Sequence, residues 1–510
     1  MGAVLAVATA LRFTNLGANL PGLVAADEPV VVDRARLLLD GGGLRDFDWP
    51  PGAMYLLAAL LRAAEAVRPG LVATAGGQYL FGRVVFALVG VACVALAVAV
   101  GHRVADPGRE RATALATGLL LAVSYVSVRL SRQVHPDHLQ LAAVLASFLA
   151  VLRFDATGRA RWLAAAGTFA GLAAATKYVG GAVAVAAVAA VLLAPSPWRA
   201  RARHLGVVAL SVAGGVVLGA PVLLSRPGDV WAGARFQLGH QAGGHLGYDQ
   251  AGPSWGYHLV HTLPGNWGWP VTLLAVAGLV MAAARGSRPQ RLAALVGLTF
   301  VALFGASGVR FPHYLIPALP FLGASAAVAG LRLAGRLGRR AAAAAVAVLA
   351  ASVVPAAVDG ARLVRASASP DTRLAAARVI AALPGPVRAE RYATPTGQGS
   401  LGEQPDAPSC ACFVAISSYM EDRYRREPER YARQVAVYDA LRRRARVVEV
   451  IAPSRPLRYD WDVLPAHGLS RLPLTGPVGR TGPTVTILDL RPVNRVGNGG
   501  GFRVPGGPVR

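Results

Sequence analysis

Two adjacent carboxylates, Asp27 and Glu28, close the apolar stretch Leu-Val-Ala-Ala-Asp-Glu-Pro, and Phe47-Asp48-Trp49-Pro50-Pro51 follows. Acids at the edge of an apolar segment are expensive unless they are paired or used. A partly desolvated carboxylate suits a general base that takes the proton of an acceptor hydroxyl. The same pair could open a helix over 29–39, where the helix dipole favours acids, and the residues alone leave both readings open. A second polar group reads Arg129-Leu-Ser-Arg132-Gln-Val-His135-Pro136-Asp137-His138. Such residues can be interfacial anchors, but His, Asp and His at a Pro-capped helix start also make a compact polar site, with metal ligation by His135, Asp137 and His138 a further possibility. Third is Lys177, the one lysine among 52 basic residues, in Thr176-Lys177-Tyr178. A compact ammonium at membrane depth is a point-charge partner for phosphate, or a lysine snorkelling to the interface. Arg83, and Arg310 just before Phe311-Pro312-His313-Tyr314, add cations. Acids to activate an acceptor, cations to hold an anionic leaving group, and apolar walls are what a lipid-linked phosphosugar requires.

The elements that must position these groups are membrane spans. The chain has 510 residues, 54% hydrophobic and only 15% charged, where soluble domains carry about 25% charged residues. Its apolar blocks are long enough to cross about 30 Å of hydrocarbon. The reading is a polytopic α-helical membrane protein with about eleven spans, near 2–19, 81–102, 112–130, 138–152, 162–176, 179–194, 205–225, 269–284, 292–308, 313–331 and 341–358. The first block has no basic leader and is interrupted by Arg12, so it reads as a retained span and not a cleaved signal. The segment 53–67, short and broken by Arg62 and Glu65, reads as a helix lying on the outer interface.

Net charge is +25, yet basic patches interleaved with aromatics, as nucleic-acid binding needs, are missing from the sequence. The arginines instead fall in short loops (Arg103–Arg111, Arg153–Arg161, Arg199–Arg203, Arg285–Arg291, Arg332–Arg340), which the positive-inside rule assigns to the cytoplasm. That places residues 1–358 in the membrane domain, with outer-face loops 20–80 and 226–268, and puts Asp27, Asp137, Lys177 and His313 on one outer face. The Arg-for-Lys bias with abundant Ala, Val and Gly indicates a high-GC bacterial genome, hence the bacterial cytoplasmic membrane. Residues 359–495 read as a soluble extracytoplasmic α/β domain: helices near 371–383 and 428–444, strands near 411–417, 446–451 and 484–489. The Gly- and Pro-rich end, 496–510, reads as disordered. Cys93 lies in an apolar block and a Cys410–Cys412 bridge closes a strained small ring, so free thiols are expected.

The order Arg12, Asp27-Glu28, Pro50-Pro51, Arg83, Arg132, Asp137, Lys177, Pro312-His313-Tyr314 and Pro317 resembles the GT-C membrane glycosyltransferases of the protein O-mannosyltransferase and aminoarabinose transferase type. The similarity covers about residues 5–330. Two positions depart from the family pattern: Trp49-Pro50-Pro51 stands for His-Pro-Pro, and His313-Tyr314 for Arg-Tyr. The resemblance implies a polyprenyl-phosphate sugar donor and inverting transfer to an acceptor hydroxyl of a glycan, lipid or protein at the outer face. Asp27 would be the base, with Glu28 and Asp137 positioning the acceptor or tuning that base. Lys177, Arg83 and Arg132 would bind the donor phosphate, and His135, His313, Tyr314 and Arg310 would contact substrate. The departing phosphate is already anionic and cations are at hand, so no cofactor and no metal is expected. A lipid-linked sugar flippase and a non-catalytic glycan-binding protein are the alternatives. A transporter would more readily show inverted repeats and midplane helix breaks, whereas these charges gather at one face.

Overall fold

A computed structural model describes residues 1–23, 25–247, 252–337, 339–404, 412–454 and 476–491. The chain divides into two compact units, residues 1–374 with 453–482, and residues 375–452 with 483–510.

The first unit is helical. It runs α1 (Gly2–Phe13), α2 (Glu28–Leu39), α3 (Gly52–Val67), α4 (Ala75–Val104), α5 (Glu110–Val123), α6 (Tyr125–Ser131), α7 (Asp137–Thr157), α8 (Ala160–Thr176), α9 (Ala184–Leu192), α10 (Trp198–Gly219), α11 (Pro227–Gly243), α12 (Trp255–Tyr257), α13 (Leu263–Arg285), α14 (Arg288–Gly305), α15 (Leu319–Ala334) and α16 (Arg339–Ala366). Among the described residues, five helical segments are long and apolar enough to cross a bilayer: Ala75–Val104, Asp137–Thr157, Trp198–Gly219, Trp255–Arg285 and Val346–Ala366. The pair α5 and α6, bent by 62°, makes a sixth if it is one broken span. Gly2–Phe13, Tyr178–Leu192 and Leu319–Ala334 are shorter apolar helices. Each of the eleven segments read as a span holds helix, but length and apolarity alone qualify only these five or six.

Small residues set a close helix contact. A Cβ on Gly171 would run into the Val212 carbonyl, and one on Gly215 into that of Thr168. Helices α8 and α10 therefore touch backbone to backbone, as small-residue faces allow in a membrane where lipid supplies no hydrophobic drive for helix association.

The bend between α5 and α6 matters most for the site. Breaking a helix frees backbone carbonyls that need new donors. The fully buried Arg12 donates to the carbonyls of Leu121 (3.4 Å) and Ala122 (3.1 Å) and to Ser127 Oγ (2.9 Å). Trp267 Nε1 donates to the Leu120 carbonyl at 2.9 Å. The Arg12 that interrupts the first apolar block thus holds the bend open, and α6 swings the turn 132–136 into position ahead of α7.

The boundary expected at 358/359 falls inside α16, a continuous helix to Ala366, and the two units part at Leu374. The reason is local. After α16, Asn19 Nδ2 donates to the carbonyls of Ser367 (3.0 Å) and Ser369 (3.1 Å), keeping this stretch with the helical unit.

The second unit adds β1 (Val387–Ala389), β2 (Phe413–Ser417), α18 (Ser418–Arg425), α19 (Ala432–Arg444), β3 (Arg446–Ile451) and β4 (Val485–Asp489), after α17 (Thr372–Ala381). The sheet order is β1-β2-β4-β3, with β1 parallel to β2 and the other pairs antiparallel. The fully buried β2 and β4 are the two segments whose β-branched runs read as core strands. Cys93 is free, but Cys412 is disulfide-bonded, against the free-thiol expectation. Cys410 and the end 496–510 lie outside the described residues.

Glu390, just after β1, is buried to 1% exposure. Its carboxyl accepts from the N–H of Ser417 (2.6 Å) and Leu401 (3.2 Å) and from Tyr438 Oη (2.8 Å). Those bonds favour the anion, but desolvation outweighs them, and with Glu421 nearby the carboxyl is pushed up to about 7. A folded pKa raised above the unfolded value of 4.5 contributes stability that is complete below about pH 4.5 and is lost as pH rises through about 7, at most about 3 kcal/mol. Hydrogen exchange of β1 and β2 in the intact protein, corrected for intrinsic rates, should therefore show readier opening at pH 8 than at pH 5. Glu390→Gln should remove most of that difference; a wild-type opening energy independent of pH would refute the assignment.

Candidate active site

Asp27 occupies the N-cap position of α2 but its side chain makes no cap hydrogen bond. It is 50% exposed, with Oδ2 3.8 Å from His135 Nε2. Its neighbour does the structural work. Glu28, 1% exposed, accepts from Arg83 Nε and Nη2, both at 2.7 Å, from the Ala25 N–H (2.7 Å) and from the Val134 N–H (3.1 Å). Arg83 also donates Nη1 to the Leu16 carbonyl at 3.0 Å. A bidentate, buried Arg–carboxylate pair with every oxygen further bonded is the geometry in which ion pairing repays desolvation. The pair pins the start of α2 to α4 and to the turn before α7.

That turn carries His135, which is 3% exposed. Its Nδ1 contacts the Asp137 carboxylate, and its ring stands edge-on to Trp49 (5.2 Å) and His313 (5.6 Å). Asp137, the first residue of α7, is fully buried and takes Lys177 Nζ on its other oxygen at 2.7 Å. Lys177 lies where α8 ends, its backbone extended (φ −147°, ψ 124°), so the side chain leaves the helix axis and reaches α7. The ammonium sits 5.1 Å from the centre of the Tyr314 ring. The structure thus brings Asp27, His135, Asp137, Lys177, His313 and Tyr314 into one line. At one end is an accessible carboxylate, at the other an ammonium 18% exposed, and Asp137 fixes the orientation of both the imidazole and the ammonium.

Three residues singled out from sequence do other work. Arg132 donates to the carbonyls of Leu11 (2.9 Å) and Arg12 (3.2 Å) and to Ser367 Oγ (3.0 Å), fastening the end of α1. Arg83 is engaged by Glu28 as described. His138 is fully buried against Ser127 Oγ at 3.0 Å, so the trio His135, Asp137 and His138 does not form. His313 takes its place: among the described residues, His135, Asp137 and His313 are a group whose possible ligand atoms lie within 4.8 Å of one another. In that group Asp137 already pairs with the Lys177 ammonium. Arg310 is half-buried at the turn leading to His313.

Sequence reading passed over two contributors. Tyr178 Oη donates toward the carbonyls of Phe47 (2.9 Å) and Val230 (3.2 Å); its place beside Lys177 was the available signal. Gln241 Nε2 donates to Tyr314 Oη at 3.0 Å, while its Oε1 accepts from Ser307 Oγ at 2.6 Å. Nothing local in the sequence marks it.

The sequence profile of the dolichyl-phosphate-mannose-protein mannosyltransferase family matches residues 72–224, the stretch that carries Arg83, His135, Asp137 and Lys177. The crystal structure of ArnT from Cupriavidus metallidurans bound to undecaprenyl phosphate is similar with a TM-score of 0.51 and 20% identity, over 75% of this chain and 65% of that one. The apo oligosaccharyltransferase of Archaeoglobus fulgidus gives 0.51 and 14%, over 70% of this chain and 54% of that one. At these identities the likeness is one of fold, and the chain spans about two thirds or less of the length of each. No curated protein sequence matches. The chain therefore shares its helical membrane fold with these two solved structures, and the mannosyltransferase family profile matches the part of that fold that carries Arg83, His135, Asp137 and Lys177.

Proposed function

We propose that the protein transfers a sugar from a polyprenyl-phosphate donor to an acceptor hydroxyl, with inversion, at the outer face of the bacterial cytoplasmic membrane. The observation that carries this reading is the half-exposed Asp27 carboxylate standing beside the buried line His135–Asp137–Lys177. Asp27 takes the acceptor proton as the hydroxyl oxygen bonds to the anomeric carbon, and the carbon–oxygen bond to the lipid phosphate breaks on the opposite side. The phosphate leaves as an anion, and Lys177 meets the charge that develops on it. Since Arg83 and Arg132 are held by Glu28 and by backbone carbonyls, the phosphate role rests on Lys177 first. Glu28 and Asp137 act by positioning, the first through Arg83 and the turn before His135, the second through His135 and Lys177. His313, Tyr314 and Arg310 contact the acceptor or the donor from beside this line.

The same reading takes eleven crossings, the N-terminus in the cytoplasm, α3 along the outer interface and residues beyond α16 outside. No metal is assigned, because the Lys177 ammonium already supplies the counter-charge to Asp137. The test is purified protein in lipid nanodiscs, offered a panel of polyprenyl-phosphate sugars with and without a cell-envelope extract as acceptor. Consumption of one donor that depends on the acceptor, and that persists in EDTA, is the expected result. Loss of more than about tenfold in EDTA, recovered with a divalent cation, would instead place a metal on His135, Asp137 and His313. Movement of lipid-linked sugar across the bilayer with no new glycoside would overturn the transferase reading.

A further inference from the structure

Helix α11 follows the apolar helix α10 after one short turn, Pro221–Leu224, and is packed along one side only. Val230, Gly233, Gln237 and Gln241 recur at helical spacing on the inner face. Gln237 Nε2 donates to the Asp48 carbonyl at 2.6 Å and Gln241 to Tyr314 Oη at 3.0 Å. Tyr178, next to Lys177, bridges the carbonyls of Val230 and Phe47. At Gly233 a Cβ would collide with the Phe47 carbonyl, so the helix is seated against the loop before Trp49 with no room to spare. Trp231 and Leu238 on one flank and Phe236 on the other are 59%, 63% and 60% exposed. The Arg235 guanidinium lies 5.8 Å from the Trp231 ring centre.

Three large apolar side chains in the open on one short helix, with a tryptophan and an arginine side by side, are the composition of an interfacial helix and not of a solvated one. The flanking segments are also exposed. Leu224 before α11 is 74% exposed, and the α10 window that passes as a membrane span is only 11% buried within the protein, so its remaining face meets lipid. We propose that α11 lies in the outer membrane–water interface, with Trp231, Phe236 and Leu238 inserted among the lipids. The bilayer then holds α11 down on the Trp49 loop, Tyr178 and Tyr314, and so keeps Lys177 placed for a donor that arrives from the membrane. This second half rests on the transferase reading; the membrane placement of α11 does not.

Spin labels at Leu238→Cys and Phe236→Cys, in full-length protein reconstituted in phosphatidylglycerol-containing nanodiscs, test the placement. Among the described residues, Cys93 is buried and Cys412 is disulfide-bonded. Both labels should collide more with oxygen than with a water-soluble nickel chelate, at a depth of about 5–10 Å, while a label at Arg443→Cys on α19 should show the reverse. Preference for the nickel chelate at 236 and 238, or spin–spin broadening that disappears on dilution with unlabelled protein, would overturn the proposal; the latter would mean that a second copy covers this face. The triple change Trp231→Ser, Phe236→Ser, Leu238→Ser removes only exposed apolar surface. It should slow transfer from a long polyprenyl donor by about tenfold or more, the order expected when two or three large side chains lose their apolar surroundings. Transfer from a short-chain, water-soluble donor should fall by a similar factor at matched folded concentration, because Lys177 loses its placement for either donor. A loss confined to the long donor would overturn the coupling to the site. If wild-type protein uses neither donor, the transferase reading fails, and the label depths still decide where α11 lies.

Discussion

Asp27→Asn is expected to lower turnover by about 10² to 10⁴, the range for removing a general base, while donor binding changes little. Asparagine keeps the shape of the side chain but cannot take the acceptor proton. The structure makes this variant unusually clean. Asp27 is half exposed, makes no cap hydrogen bond to α2 and meets buried His135 only at 3.8 Å, so its replacement breaks no close contact and the fold should be little affected. Glu28→Gln is the contrasting variant. It breaks a buried bidentate pair and leaves Arg83 with an unpaired charge, so it should lose folded protein, by about 3 kcal/mol or more, before any effect on chemistry can be read. Normal transfer by folded Asp27→Asn would remove the base assignment; a turnover loss matched by a stability loss would return Asp27 to a structural role.

Lys177→Met is expected both to weaken donor binding and to slow transfer, by about 10² to 10³ together, because the ammonium meets charge in the ground state and more of it in the transition state. Here the structure complicates the single variant. Asp137 is fully buried with Lys177 on one oxygen, so methionine at 177 leaves a buried carboxylate with less compensation and the protein less stable. The double variant Lys177→Met with Asp137→Asn removes that imbalance. If Lys177 acts on the phosphate, the double variant should recover folding but not donor affinity. Recovery of both would make the lysine a structural partner of Asp137 and nothing more. Donor titration monitored by protection from thermal unfolding, beside turnover at matched folded concentration, separates these outcomes.

The class of protein was legible from composition alone, because an apolar chain with arginines gathered in short loops can satisfy its backbone only as helices in a bilayer. Segments with strong local patterns were equally legible. The β-branched runs near 411–417 and 484–489 lie within two residues of β2 and β4, and 53–67 lies within a residue of α3. The rarity of lysine pointed to Lys177, and the Asp27-Glu28 pair to the start of α2. Sequence could not divide the work within that pair, since two neighbouring acids have the same local surroundings. Only the fold, by bringing Arg83 and the Val134 N–H 55 and 106 residues away onto Glu28, left Asp27 as the accessible carboxylate.

The other reassignments have the same cause. His138 is one residue from Asp137 and looked like its partner, but a helix turns successive side chains about 100° apart, so His138 faces Ser127 while His313 arrives from the far end of the chain. Arg132, expected at the donor phosphate, donates to the carbonyls of Leu11 and Arg12 at the end of α1. Arg12 looked like a flaw in a span, and the carbonyls freed at the α5–α6 bend are why it is there. Which cation meets an orphaned carbonyl and which remains for a substrate depends on where distant segments converge, and local periodicity carries no record of that. Hydrophobic pattern and residue type are properties of a segment, so the sequence determined the helices, the strands and the polar face. Pairing is a property of the assembled chain, so the tertiary structure alone decided which of those polar groups are bound to one another and which stay accessible.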